Sequence, residues 1–344
     1  MTESVTDPVA GVVTGAAPAP RALAPLRLGT RKSLLAMTQS GHVADALRAA
    51  TGRDVQLVPI TTTGDVLTGP LTQLGGTGVF VAALREALLR GECDLVVHSM
   101  KDLPTGAVPG LTIGAVPARA PQRDALCARN GWTLDTLPHG ARVGSGSPRR
   151  VAQLRRRRPD LVVDGIRGNV DTRLRTVHEG VFDAIVLAEA GLTRIGRTDE
   201  ITDLFDDEGW PTSAGQGALA VEVRSDDPAT AELVASVDDA EAATTSLLER
   251  AVLRRLEAGC AAPVGIAAHR VAADGRGDVD RVRLVAEVYA LDGARSVRVE
   301  REVPFDTVVG ARAAAAHDAL AAEVAAELVA RGAAELADLP GSAR

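Results

Sequence analysis

The sequence predicts an α/β fold of two lobes around a central cleft, followed by a small α+β C-terminal domain. Three observations carry that expectation. Short apolar runs of strand length alternate with helix-period segments in two successive blocks, 26–117 and 118–211, the pattern of sheets covered by helices. A segment at 212–238 then holds one more strand, which reads as a return crossing to the first lobe. From about Asp239 the order changes to one long helix, three strands and an Ala-rich helix, which makes 239–344 a third domain.

With 344 residues, 46% of them hydrophobic, the chain can bury sizeable cores in two or three domains. The Ala-, Pro- and Gly-rich run 1–25 has neither a basic start nor an unbroken apolar stretch, so it reads as a disordered extension and not as an export signal. No apolar run has bilayer length, and the expectation is a cytoplasmic protein without membrane contact. Cys93, Cys127 and Cys260 are widely spaced and odd in number, which argues against a disulfide framework and against a zinc site built from Cys pairs. A formal net charge of -7 disfavours nucleic acid as a partner, and any anionic ligand must be held by a local cluster of cations. Lys32 and Lys101 are the only lysines.

Leu26 to Thr30 is a short strand, and Ser33 is placed to cap a helix with an apolar period through Leu34, Leu35, Met37, Val43 and Leu47. Arg31 therefore sits in a strand-to-helix turn, where exposed N–H groups and the helix dipole favour an anion. Val55 to Ile60 is the next strand and 61–69 a polar loop. Gly75, Gly76 and Gly78 then precede a helix from Val79 to Leu89, with Phe80 in its first turn. No Gly-Lys-Ser/Thr follows these glycines, so they do not form a nucleotide phosphate loop. Leu95 to Ser99 is a buried strand that runs into Lys101 and Asp102 and is stopped by Pro104. Reactive side chains sit at such strand ends in open sheets, although the pattern alone favours a surface ion pair.

Two later turns repeat the first design. Arg142 to Gly144 leads through Ser145 and Gly146 into a helix with Ser147 as cap, Pro148 at its first position, and Arg149 and Arg150 in its first turn. Cations there oppose the helix dipole, so the local helix does not explain them; an anionic ligand would. Arg155 to Arg158 lie near the helix end, where positive charge suits the dipole, and read as a solvated face. Leu161 to Asp164 runs into a capped helix with Arg167 and Arg173 on either side of the cap, and Arg194 follows the buried strand Ala184 to Ala188.

No histidine pair has metal-ligand spacing and no serine-hydrolase elbow is present, so those chemistries are set aside. His98, Cys93 and Cys127 read as core residues. Cys260 lies in a loop past a helix C-terminus, where the dipole disfavours a thiolate. It is either a buried structural cysteine or a covalent tether formed once. What remains is one strand-end carboxylate, arginines at three helix starts and a loop cysteine. That set suits a substrate with several carboxylates and a reaction that builds positive charge beside Asp102.

Four stretches, His98-Ser99-Met100-Lys101-Asp102-Leu103-Pro104, Gly144-Ser145-Gly146-Ser147-Pro148-Arg149-Arg150, Ile166-Arg167-Gly168-Asn169-Val170-Asp171-Thr172-Arg173 and Leu256-Glu257-Ala258-Gly259-Cys260, closely resemble the porphobilinogen deaminase (hydroxymethylbilane synthase) family. The likeness runs in register from about Leu26 to Gly332. The resemblance implies a transferase of tetrapyrrole (porphyrin and haem) biosynthesis. Such an enzyme condenses four porphobilinogen molecules head to tail with release of ammonia, then frees linear hydroxymethylbilane by hydrolysis. It also implies two periplasmic-binding-protein-like lobes, a monomer, and a dipyrromethane cofactor held by a thioether to Cys260.

Residue by residue, Asp102 matches the family's catalytic aspartate, and a carboxylate suits the electron-poor azafulvene left when ammonia departs. Lys101, Ser33, Ser145, Ser147, Arg149 and Arg150 match cofactor contacts. Arg31, Arg149, Arg150, Arg167, Arg173 and Arg194 match groups that bind the substrate's acetate and propionate, a task suited to guanidinium forks. Phe80 matches an aromatic of the mobile active-site loop. Gln73 and Thr77 stand where some members carry lysines, and Ser145 stands for a frequent threonine while keeping the hydroxyl. A two-lobed anion-binding protein without chemistry is the competing reading, which Asp102 and Cys260 argue against. Nucleic-acid binding through Arg155 to Arg158 is a weaker one.

Overall fold

The computed structural model describes residues 24–60, 78–206, 208–258, 262–273, 275, 279–309, 313–337 and 339. Cys260, Gln73 and Thr77 lie outside the described residues, as do the side chain of Phe80 and the N-terminal run up to residue 23. The first block forms β1 (Leu26–Thr30), α1 (Leu34–Thr51), β2 (Val55–Pro59), α2 (Gly78–Leu89), β3 (Leu95–Ser99) and β4 (Leu111–Ala115). The second forms β5 (Asp124–Ala128), β6 (Arg142–Gly144), α3 (Pro148–Arg157), β7 (Val162–Asp164), α4 (Val170–His178), β8 (Ala184–Ala188), α5 (Glu189–Arg194) and β9 (Asp203–Leu204). Then come β10 (Leu219–Arg224), α6 (Pro228–Ala235), α7 (Ala240–Arg255), β11 (Val264–Val271), β12 (Arg281–Tyr289), β13 (Ser296–Pro304) and α8 (Ala313–Ala330).

The helix starts follow from local chemistry. Ser33 accepts from the Ala36 N–H at 3.4 Å, and Ser147 accepts from Arg150 N–H at 3.5 Å with Pro148 in the first turn. Asn169 and Asp239 do the same for α4 and α7, each at 2.8 Å. Three elements escape a reading of periodicity: β9 has two residues, α5 has six, and α6 has eight. The start of α6 was nonetheless signalled by Asp227 before Pro228, a cap followed by a first-turn proline. The C-terminal helix is described over Ala313–Ala330, and Phe305–Thr307 form a separate 3-10 turn before it.

The two lobes share one topology. The first sheet has the order β2-β1-β3-β10-β4 and the second β7-β6-β8-β5-β9. In each, three parallel strands are extended by an antiparallel strand, β10 or β5, that enters directly from a crossing between the lobes. This is a mixed α/β architecture built on two five-stranded sheets. Side chains such as Leu28, Leu47, Leu95 and Val221 fill the first lobe's core, and Leu126, Val143, Leu154 and Trp210 fill much of the second's. Cys93 and Cys127 are buried. Among the described residues no helix is long and apolar enough to cross a membrane.

The third sheet, β11-β12-β13, is antiparallel and packs against α7 and α8 around Leu248, Val252, Ile266, Leu284 and Leu328. One fully buried carboxylate joins this layer to both crossings. Glu249 accepts two bonds from Arg119 at 2.9 and 2.8 Å, one from Gly215 N–H at 2.6 Å and one from Ala268 N–H at 2.7 Å. Beside it, Ile266 N–H donates to Thr212 O at 2.8 Å. Gly265 lets the strand approach that close, since a Cβ there would lie 2.5 Å from Pro211 O.

Removing one partner of a buried charge pair strands the other, so Glu249→Ala is expected to cost about 3–5 kcal/mol of stability. Denaturant unfolding of the variant beside the parent measures this. A loss below about 1 kcal/mol, the scale of a surface pair, would show that the joint does not depend on Glu249.

Candidate active site

The C-terminal ends of β1, β3, β6 and β8 face one another across the lobes and enclose a cavity of about 1280 Å³. Ligands of open α/β sheets bind at such strand ends. Arg31, Ser33, Lys101 and Asp102 line it from the first lobe, and Ser145, Arg150, Arg167 and Arg173 from the second. With Arg155 included, six cationic side chains face the cavity against two carboxylates, Asp102 and Asp171. Asp171 is bonded to Arg197 at 3.1 Å. A chain of net charge -7 thus presents a cationic cleft. Leu34, Leu35 and Leu187 add apolar surface to its walls. A second cavity of about 120 Å³ shares Arg31, Ser33 and Asp102 with the first.

Lys101 and Asp102 belong to a single 3-10 turn, Met100–Asp102, that follows β3. The surface ion pair that their adjacency permits is not made. Lys101 Nζ instead donates to Gln216 Oε1 at 3.2 Å. Burial and the neighbouring Arg150 pull the Lys101 ammonium down to about 8, against the opposing pull of Asp102. Among the described residues no hydrogen bond reaches the Asp102 carboxylate, which is half-buried and faces both cavities. Most other carboxylates near arginines in this chain are paired, so this one stands out as available.

Arg149 and Arg150 already meet an anion inside the protein. Their position in the first turn of α3 points to an anionic ligand, yet the anion they meet is a side chain of the protein itself. Arg149 Nη1 donates to Asp124 Oδ2 at 2.8 Å, and Arg150 Nη2 donates to Asp124 Oδ1 at 2.6 Å. Trp210 Nε1 and Gln216 Nε2 complete the set at 2.9 and 2.8 Å. Burial alone would push the Asp124 carboxyl up, but the two guanidiniums outweigh it and hold the group well below the usual carboxylate range. Arg149, 2% exposed, also contacts Gln153 Oε1 and Pro211 O and is not among the residues lining the cleft. Arg150 serves both places: it lines the cleft, and its Nε is buried with no partner among the described residues.

Arg194 is likewise turned to the crossing. Its Nη2 donates to Gly217 O at 2.6 Å, and burial lowers the guanidinium to about 10. Ser147 and Ser33 are engaged as caps, and Ser145 Oγ accepts from Ser147 N–H at 3.3 Å. Arg173 Nε donates to Gly168 O at 2.8 Å, while burial and then Arg150 lower its guanidinium. His98 is buried against Glu222 Oε2 at 3.1 Å, with Arg85 on the same carboxylate.

Asp124 and Gln216 are the residues that sequence reasoning missed. Gln216 uses every atom of its amide: Oε1 accepts from Lys101 and Arg150, and Nε2 donates to Asp124 and to the Gln122 carbonyl at 2.7 Å. Its flanking glycines were the available signal. Gly215 and Gly217 have φ of 77° and 85°, and a Cβ on either would strike Met100 or the Ala120 carbonyl. Asp124 carried no local signal, since its partners are 25 to 92 residues away.

The family profile "Porphobilinogen deaminase, dipyromethane cofactor binding domain" matches residues 26–232, and "Porphobilinogen deaminase, C-terminal domain" matches 243–329. The chain belongs to the porphobilinogen deaminase family. It is 51% identical over 328 residues to the porphobilinogen deaminase of Leifsonia xyli subsp. xyli, covering 94% of this chain and 98% of that relative. It is 50% identical over 310 residues to that of Thermobifida fusca, covering 90% and 94%. Against porphobilinogen deaminase 1 of Streptomyces coelicolor it is 50% identical over 315 residues, covering 90% and 97%. Among solved structures, the methionine binding protein MetQ is 13% identical with a TM-score of 0.41, covering 65% of this chain and 91% of that one.

Asp124→Asn would leave two buried guanidiniums short of a counter-charge, and is expected to lower stability by about 3–5 kcal/mol. Denaturant unfolding checks it. An unchanged midpoint would remove Asp124 from the centre of the joint.

Proposed function

We propose that Asp102 is the catalytic carboxylate of this cleft and that the surrounding cations hold the carboxylates of a growing oligopyrrole. The chain is a hydroxymethylbilane synthase, a transferase of tetrapyrrole biosynthesis acting on porphobilinogen. The observation that carries the site assignment is one carboxylate, without a hydrogen bond among the described residues, facing a cleft lined by six cationic side chains. Each porphobilinogen bears an acetate and a propionate, so Arg31, Arg167 and Arg173 are matched to it in charge and geometry.

The donor set also fits the family's dipyrromethane cofactor. Arg150 faces the cleft with its Nε unmet, Lys101 and Ser145 lie beside it, and apolar walls can meet pyrrole faces. These residues would hold the group, with Cys260 as its thioether tether. When bound it supplies the free pyrrole carbon from which elongation starts. In this reading Arg149 and Arg194, which also bond to the crossings, belong to the carboxylate-binding set.

Asp102 does the electrostatic work at the reacting centre. As the C–N bond of porphobilinogen breaks and ammonia leaves, positive charge spreads into the pyrrole ring. A carboxylate near the ring N–H lowers the energy of that state. Bond formation at the free α-carbon of the preceding ring would release that carbon's hydrogen as a proton, which Asp102 would accept. Lobes of residues 26–117 with 212–238 and of 118–211, plus a cofactor-bearing domain at 239–344, are the division this reading uses. Both walls of the cleft come from one chain, which supports a monomer, and placement in the cytoplasm goes with the same reading.

Intact mass tests the assignment. The purified protein should exceed its sequence mass by one dipyrromethane and gain porphobilinogen units stepwise on addition of substrate. An unmodified mass without turnover would sink the reading, and Cys260→Ser should abolish the added mass. Asp102→Asn should keep fold and cofactor but lose about 100-fold or more in kcat; near-parental turnover would remove Asp102 from the mechanism. The Lys101 prediction concerns pH. Its protonated form binds carboxylates, so kcat/KM should fall as pH rises through about 8, where the ammonium loses its proton. Lys101→Arg stays charged and should remove that alkaline limb; a limb that persists belongs to another group.

A further inference from the structure

The turn that carries Asp102 has little holding it from within. It is one 3-10 turn, closed by Leu103 N–H to Met100 O at 3.2 Å and tied to its sheet by Met100 N–H to Ala218 O at 3.0 Å. Isolated turns of this kind have poor hydrogen-bond geometry and no cooperative neighbours. Because no hydrogen bond among the described residues reaches the Asp102 carboxylate, its aim follows from the backbone beneath it. That backbone is gripped from a distant part of the chain. Arg250 on α7 donates from Nη1 to Met100 O at 2.9 Å and to Leu103 O at 3.0 Å, and from Nη2 to Pro104 O at 2.8 Å. The first of these spans 150 residues of sequence. Arg250 is only 8% exposed, so water cannot replace it at these carbonyls without opening the contact.

We propose that Arg250 is a positioning residue for Asp102: its guanidinium fork sets the backbone of the turn on either side of the carboxylate, and so sets where that carboxylate points. The inference rests on the catalytic role assigned to Asp102. A planar fork with several fixed donors can bridge three carbonyls at once, a task a lysine's point charge does less well. The neighbouring Glu249 grips both crossings from the same turn of α7. Arg250 also stands ten residues before Cys260. One helix therefore links the hinge and the turn that carries Asp102.

Arg250→Lys tests this in the full chain, with kcat expressed per cofactor-loaded molecule as counted by intact mass. Displacing a catalytic group by about 1 Å costs about 100-fold, so kcat is expected to fall roughly 10- to 100-fold with KM within about twofold. Arg254→Lys, on the same helix and bonded to Asp318 at the surface, should match the parent. The second measurement is a cycle with Asp102→Glu, whose longer side chain re-aims the carboxylate. If Arg250 acts through Asp102, the two losses will not multiply. An unchanged kcat, a KM that rises in step with it, or multiplicative losses would each overturn the proposal. Should Arg250→Lys not fold, Arg250→Gln is read by the same criteria, and failure of both to fold would mark the contact as structural and overturn it too. Asp102→Asn alone separates the two levels: if it turns over normally the parent reading fails, whereas an inert Asp102→Asn beside an unimpaired Arg250→Lys fails only this inference.

Discussion

The buried carboxylate of Asp124 holds the molecule in the form that makes a cleft. It sits at the start of β5, where the chain has just crossed from the first lobe, and it is fully excluded from water. Four donors fill its two oxygens: Arg149 and Arg150 from α3, Trp210 from the returning crossing, and Gln216 from the same crossing six residues on. Taking a carboxylate and two guanidiniums out of water is expensive, and only a nearly complete set of partners offsets it. The geometry here supplies that set. Both strands of the hinge and the start of the helix facing the cleft are thereby located by one group, and the cavity walls on either side follow from it.

That joint changes the meaning of the arginines. An anion at the start of a helix is stabilised by free N–H groups and the dipole, whereas a cation there needs another reason. At α3 part of the reason is internal, because Arg149 Nη1 and Arg150 Nη2 each donate to Asp124. At α1 and α4, Arg31, Arg167 and Arg173 remain directed at the cleft. One residue type thus does two jobs: Arg149 and Arg150 meet Asp124, and Arg167 and Arg173 line the cleft. Arg150 lies at the boundary, with Nη2 on Asp124 and its Nε unmet, and through Gln216 it shares an acceptor with Lys101. A ligand carboxylate that draws on Lys101 or Arg150 therefore also loads the amide that spans the hinge.

The helix α7 shows the same economy. Its buried face is mixed: Leu248 and Val252 fill the third layer's core, while Glu249 and Arg250 reach out of it toward the crossings and the turn that carries Asp102. Ordinary amphipathic reasoning assigns adjacent charged residues in mid-helix to solvent. Here they face protein, because the third layer packs against the back of the hinge and presents carbonyls and amides that need charged partners. The layer consequently stiffens the two lobes where they join.

What the sequence by itself determined is everything whose cause lies within a few residues. Ser33 and Ser147 cap their helices because a hydroxyl reaches an N–H three positions on, and Pro148 fits where no N–H is needed. Apolar runs such as Leu95 to Ser99 become buried strands, so Lys101 and Asp102 fall at a strand end facing a cleft. Four short motifs sufficed to name the family. Only the tertiary structure decided how the charged residues are shared out. Asp124 meets Arg149 across 25 residues, Gln216 meets Asp124 across 92, and Arg250 meets Met100 across 150. Such partners are chosen by how sheets and helices pack, and local propensity has no reach over those distances. The same side chain becomes a joint or a ligand contact according to what the fold places within three ångströms of it.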